Sequence, residues 1–107
     1  MEMTMTEYAA VRDPKRPAMH PGEMLRDDIL RAIGKPKSEI ASLLGVSRQT
    51  LYDILNEKQP VTAAMALRLG KLCGNGPTLW LNMQKRYDLE RAAEEVDVSA
   101  IPTLEVA

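Results

Sequence analysis

Apolar residues fall at helical spacing in successive segments separated by Gly and Pro, which predicts an all-α chain. The first segment opens at Pro21, suited to the first helical position, with Glu23 in its first turn. Leu25, Ile29, Ala32 and Ile33 make its apolar stripe; Arg26, Asp27, Asp28 and Arg31 make its wet side, and Gly34 ends it. Lys35-Pro36 opens a second helix carrying Ile40, Ala41 and Leu44. A third follows Ser47, with Leu51 and Ile54 facing inward, and Pro60 stops any continuation. Thr62 caps a fourth helix with Met65, Leu69, Leu72 and Cys73 on its buried side. Gly74-Asn75-Gly76-Pro77 is a stop and a restart. The fifth helix runs from about residue 77 to 96, with Leu79, Trp80, Met83, Tyr87, Ala92, Ala93 and Val96 as its apolar positions. Residues 1–19 read as an extended arm or linker, 20–96 as the helical domain and 97–107 as a tail. The tail alternates weakly (Ile101, Leu104, Val106), as a pairing strand or a loose end would.

Within this frame, residues 37–56 form a compact pattern of their own. Gly45 sits where the chain leaves the second helix into a sharp corner, which calls for positive φ. Val46 plugs the corner, and Ala41 is small where the third helix crosses close above it. Ile40, Leu44, Val46, Leu51 and Ile54 fix the crossing angle. This is a helix-turn-helix pattern; an ordinary helical hairpin with a glycine cap is the plainer reading. The exposed side of the third helix favours the first. Arg48, Gln49, Tyr52 and Asp53 are long, polar or planar side chains that reach base edges. Lys37, Ser47, Thr50, Asn56, Lys58 and Gln59 lie at the helix ends, where phosphates sit in this motif.

Charge changes the picture because its distribution is uneven. The net charge of −1 looks wrong for a nucleic-acid binder. Yet residues 12–87 hold 13 bases and 7 acids, while residues 88–107 hold one base and six acids. A basic body carries an acidic tail. One cysteine excludes an internal disulfide and suits a reducing cytoplasm. No apolar run approaches a membrane span, and no signal peptide precedes the domain.

Catalytic chemistry finds little support. His20 and Cys73 are the only residues of their types and stand far apart, so a metal site lacks ligands. Adjacent Asp27 and Asp28 point in different directions on a helix. Gly74-Asn75-Gly76 lacks the lysine of a phosphate loop. His20 beside Pro21 reads as the residue where the first helix begins. No enzyme, metal or cofactor is expected.

Taken in order, several stretches resemble HigA-like antidotes of plasmid-addiction (toxin–antitoxin) modules, within the Cro/repressor (XRE) superfamily. They are His20-Pro21-Gly22-Glu23, the run from Leu43 to Leu51, Asn56 with Lys58, Pro60-Val61-Thr62 and the run from Met65 to Leu69. Leu79-Trp80-Leu81 and Gln84 with Tyr87-Asp88-Leu89 continue the match, which covers about residues 17 to 90. Glu57 departs from it, since relatives often have Gly there.

The resemblance implies a five-helix, lambda-repressor-like DNA-binding domain that acts as a homodimer. It implies a repressor of its own operon, on an inverted-repeat operator, that also binds a small basic RNA-cleaving toxin (HigB-like). Leu79, Trp80, Met83 and Tyr87 of the long fifth helix are assigned to the dimer contact, with the core the favoured alternative for Trp80 and Tyr87 the better interface candidate. The acidic tail either covers the toxin or is a solvated end. A stand-alone XRE-type repressor without a toxin partner is the alternative, and an interaction module that has lost DNA binding is a weaker third.

Overall fold

The computed structural model describes residues 17–106, which form five helices and no strand. The expectations for residues 1–16, most of the N-terminal arm, lie outside this range. The first helix, α1, is continuous but made of three pieces: α-helical Pro21–Met24, π-helical Leu25–Ile29 and α-helical Leu30–Ile33. Then come α2 (Lys37–Leu44), α3 (Arg48–Leu55), α4 (Ala63–Cys73) and α5 (Pro77–Glu95).

Local chemistry sets most of the boundaries. The first amides of a helix have no partner within it and need an acceptor from outside. Ser47 Oγ accepts from the Thr50 N–H at 3.0 Å, and Thr62 Oγ1 from the Met65 N–H at 3.2 Å. At α1 the acceptor is His20 Nδ1, 2.9 Å from the Gly22 N–H. Prolines open α1 and α5 at their first turns.

The core gathers one face from each helix: Leu25 and Leu30, Ile40, Ala41 and Leu44, Leu51, Ile54 and Leu55, Met65, Ala66 and Leu69, and Trp80. Complete burial of each leucine or isoleucine contributes roughly 1.5–3 kcal/mol. Helices α4 and α5 make the most extensive pairing, while the start of α1 touches both α3 and α5. A side chain at Gly22 would collide with the Ile54 carbonyl oxygen, so only glycine lets α1 lie this close to the end of α3. Polar groups drawn into the core are satisfied. Trp80 Nε1 donates to Asn75 Oδ1 at 3.0 Å. Buried Gln84 accepts from the Val61 N–H at 2.8 Å and donates to Asp88 at 2.9 Å, which ties the loop after α3 to α5.

Two expectations are corrected. The stripe Leu25, Ile29, Ala32, Ile33 assumed a regular α1. The Leu30 N–H instead reaches back five residues to the Leu25 carbonyl. That wide turn rotates the rest of the helix by about one position. Leu30 enters the core, Ile29 is half-buried, and Ala32 and Ile33 face solvent. On α5, Ala92, Ala93 and Val96 are exposed. At about 1.5 Å per residue, α4 is about 16 Å long and α5 about 28 Å. The far end of α5 outruns the helix that would cover it. The tail beyond forms no strand; it bends, with the Ile101 N–H donating to the Val98 carbonyl at 3.0 Å.

Glu57 holds φ 61°, the left-handed region that glycine occupies without a steric cost. Its carboxylate lies 3.6 Å from Arg26 Nη1, a solvent-screened pair that returns little. The backbone cost, about 1–2 kcal/mol for a residue with a Cβ, is the larger effect. Glu57→Gly is therefore expected to raise stability by about 1 kcal/mol. Urea unfolding should show a higher midpoint with the slope unchanged; an unchanged or lower midpoint contradicts the argument.

His20 yields a pH prediction. It is buried, stands at a helix N-terminus and must stay unprotonated at Nδ1 to cap α1. Burial lowers its pKa from the ordinary value, opposed by Glu57, by the Gln59 carbonyl and by Asp88. A histidine pKa lowered on folding means that the unfolded chain binds the proton first. Its contribution is therefore complete above the ordinary value of about 6.5 and is lost as the pH falls below it. Stability should drop between pH 7 and pH 5, before the carboxylates titrate. His20→Asn, which keeps a capping oxygen, should flatten that interval; an equally steep drop in the variant assigns it elsewhere.

Candidate nucleic-acid interface

The α2–turn–α3 unit is built as the sequence pattern requires. Gly45 takes φ 74°, and the Val46 N–H bonds back to the Ala41 carbonyl at 3.0 Å. The exposed end of α2 has a second support. Arg68, from α4, donates through Nη1 to the Leu44 carbonyl at 2.6 Å. A Cβ at Gly45 would lie 2.7 Å from that same nitrogen, so glycine here serves the arginine as well as the turn.

Helix α3 has two distinct sides. Leu51, Ile54 and Leu55 are fully buried, whereas Arg48, Gln49 and Tyr52 are exposed, with Thr50 and Asp53 between. Lys37 Nζ stands 5.7 Å from the centre of the Tyr52 ring, so the start of α2 and the outer face of α3 form one surface. Gln49 Nε2 donates to Asp53 Oδ1 at 2.8 Å, one helical turn on. Ser47 Oγ lies 2.9 Å from Thr50 Oγ1, which leaves this pair largely engaged with itself at the helix start. At the other end the Lys58 and Gln59 N–H groups both bond the Asp53 carbonyl, at 2.8 and 3.2 Å. The loop thus folds back, and Asn56, Lys58 and Gln59 are exposed beside the last turn of α3.

Of the side chains assigned to a dimer contact, Trp80 and Met83 lie inside the protomer's own core and cannot face a partner. The first half of α5 packs beneath α4, which uses both of them internally. Leu79 and Tyr87 are half-buried. The Tyr87 ring stands nearly perpendicular to His20, centroids 4.9 Å apart, and the Arg91 guanidinium lies over it at 4.9 Å. Cys73 is half-buried, and that burial raises its thiol pKa, which disfavours the reactive thiolate.

Two arginines that shape the site were not assigned to it from the sequence. Arg68 reads as an ordinary exposed arginine on α4. Arg26 was assigned to the wet side of α1, yet it donates to the Leu55 carbonyl at 2.9 Å and so closes the end of α3. Gln49 and Asp53 stand at i, i+4 spacing, but the bond that joins these two expected base contacts is seen only in the structure.

Comparison with known proteins supplies the family. Residues 28–81 match the model of the helix-turn-helix family. Virulence-associated protein I of Dichelobacter nodosus is 40% identical over 79 residues, which cover 74% of this chain and 73% of that protein. Antitoxin HigA-1 of Vibrio cholerae is 35% identical over 79 residues, 74% of each chain. The solved structure of the Pseudomonas aeruginosa antitoxin HigA with the higBA promoter superposes with a TM-score of 0.73. It is 34% identical and covers 83% of this chain and all of the other. Fold, motif position and sequence agree: the chain belongs to the XRE-type helix-turn-helix family, in the group that includes the HigA antitoxins.

Proposed function

We propose that this protein is an antitoxin-type repressor. It binds its own operator as a homodimer and neutralises a small basic toxin by direct contact. The observation that carries the reading is the two-sided α3, whose inner leucines and isoleucine are locked in the core while Arg48, Gln49 and Tyr52 face out. Arg offers two donors to guanine, and Gln a donor and an acceptor to adenine. Lys37, Lys58 and the first turn of α2 face the flanking phosphates. The relative solved with its promoter supports this use of the same unit.

One such unit reads only a few base pairs, so a two-fold dimer on an inverted repeat fits the task, with half-sites about 34–36 Å apart or a multiple of that. The overhanging end of α5 is the dimer surface in this reading: Leu89 is 62% and Val96 57% exposed there, with Ala92 and Ala93 between them. The acidic residues from Asp88 onward oppose DNA and suit a toxin that must be basic where it meets RNA.

Two experiments test these roles. On the operator, Arg48→Ala or Gln49→Ala should cost about 1–3 kcal/mol, and much less on random DNA. Lys37→Ala should instead weaken both DNAs alike and lower the salt slope by about one unit. Losses of the same size on both DNAs for Arg48→Ala would reassign it to the backbone.

Truncation after Val96 tests the tail, which holds Asp97 and Glu105 beside Ile101, Leu104 and Val106, while sparing the dimer surface and the contact between the Ala18 N–H and Glu90, 2.8 Å. The shortened protein should keep its operator and lose affinity for the toxin recovered with the full chain from its own cells. Full-strength toxin binding by the truncated chain rejects the tail as the neutralising element. Recovery of operator DNA with no companion protein favours the stand-alone repressor.

A further inference from the structure

We propose that Asp53 is a positioning residue that makes Gln49 select adenine and reject guanine. The inference rests on the reading of α3 as the base-contacting helix and adds a rule of specificity to it. It starts from the 2.8 Å hydrogen bond between Gln49 Nε2 and Asp53 Oδ1 on the outer side of that helix.

A carboxylate only accepts hydrogen bonds, so it decides which end of the Gln49 amide faces it. The nitrogen turns toward Asp53 and the oxygen turns away. A free glutamine carries two N–H donors and one acceptor oxygen. Held in this way, Gln49 has one N–H and its Oε1 left to offer. Adenine presents an acceptor at N7 and a donor at N6 in the major groove, which matches that remainder. Guanine presents two acceptors, N7 and O6. A free glutamine can turn both N–H groups toward them; the held one has a single N–H and would set Oε1 against an acceptor. The carboxylate beside it repels the same two guanine atoms. Cytosine and thymine each offer one polar group in this groove and use half of what Gln49 presents.

Among the described residues, no other side chain bonds the carboxylate. The three ion pairs among the described residues do not include Asp53. The Lys58 and Gln59 N–H groups bond its backbone carbonyl, which any residue supplies. A negative charge on a DNA-facing helix also works against phosphate attraction. A carboxylate in that place is understandable if it returns discrimination for the affinity it costs.

The experiment measures operator binding with each base in turn at every half-site position. The position read by Gln49 is the one where Gln49→Ala abolishes the base preference. There the wild type should prefer adenine over guanine by about tenfold or more. Asp53→Ala frees the amide, and Asp53→Asn keeps a hydrogen bond but lets either end of the amide face it. Both should bring the ratio within about threefold by gaining guanine binding, while Asp53→Glu, still an acceptor only, should preserve the preference. If Asp53→Ala changes the affinity for both bases by the same factor, Asp53 acts through charge alone and the proposal is overturned, with the base-contacting role of Gln49 intact. If Gln49→Ala flattens no position, the base-contacting role fails and the proposal with it.

Discussion

The carbonyls at the ends of α2 and α3 have no partners within their helices, and each lies at the edge of the surface that meets solvent. Arginines from other helices take up two of them: Arg68 of α4 bonds the Leu44 carbonyl before the turn, and Arg26 of α1 bonds the Leu55 carbonyl after it. Between these clamps the direction of α3 is set by backbone atoms, not only by greasy contact. Gly22 adds a third constraint, since α1 approaches the Ile54 carbonyl closely enough to exclude any side chain. Apolar packing alone would tolerate sliding of the α2–turn–α3 unit; directional bonds to the last carbonyl of α2 and the last carbonyl of α3 do not.

Local chemistry is where the sequence was legible. Caps at Ser47 and Thr62, the left-handed Gly45 and the proline starts follow from the residue itself and two or three neighbours. The same holds for the buried set Ile40, Leu44, Leu51 and Ile54. What escaped depends on distant parts of the chain. The π-helical turn in α1 replaces Ile33 by Leu30 in the core, and no 3.6-residue pattern can register an inserted position. Met83 does not reach a dimer contact, and Trp80 takes the core place it also fitted, because the first half of α5 is covered within the protomer. Within the candidate site, the exposed residues of α3 were readable from spacing. The arginines that hold α3, and the bond that joins Gln49 to Asp53, required three dimensions.

Glu57 shows how such a frame tolerates imperfection. The loop after α3 needs a left-handed residue there, and the chain supplies one with a side chain. The strain is contained because the loop is tied on both sides. Gln84 holds the Val61 N–H from α5, and the Asp53 carbonyl gathers two loop amides from α3. His20 joins the same assembly through Tyr87 and the Gln59 carbonyl. A loop anchored to two helices and a buried ring absorbs a local cost that an untethered turn would relieve by changing shape.

The division of α3 into a buried side and an exposed side has a consequence for how such proteins diverge. Leu51, Ile54 and Leu55 answer to packing, while Arg48, Gln49, Tyr52 and Asp53 contribute nothing to the fully buried core. Substitutions in the second set leave the packing of that core unchanged. With α3 reading DNA as proposed, two copies arising by gene duplication can drift apart in the sites they recognise without losing the core that folds them. Insulation between paralogous circuits in one genome is then accessible in a handful of single steps.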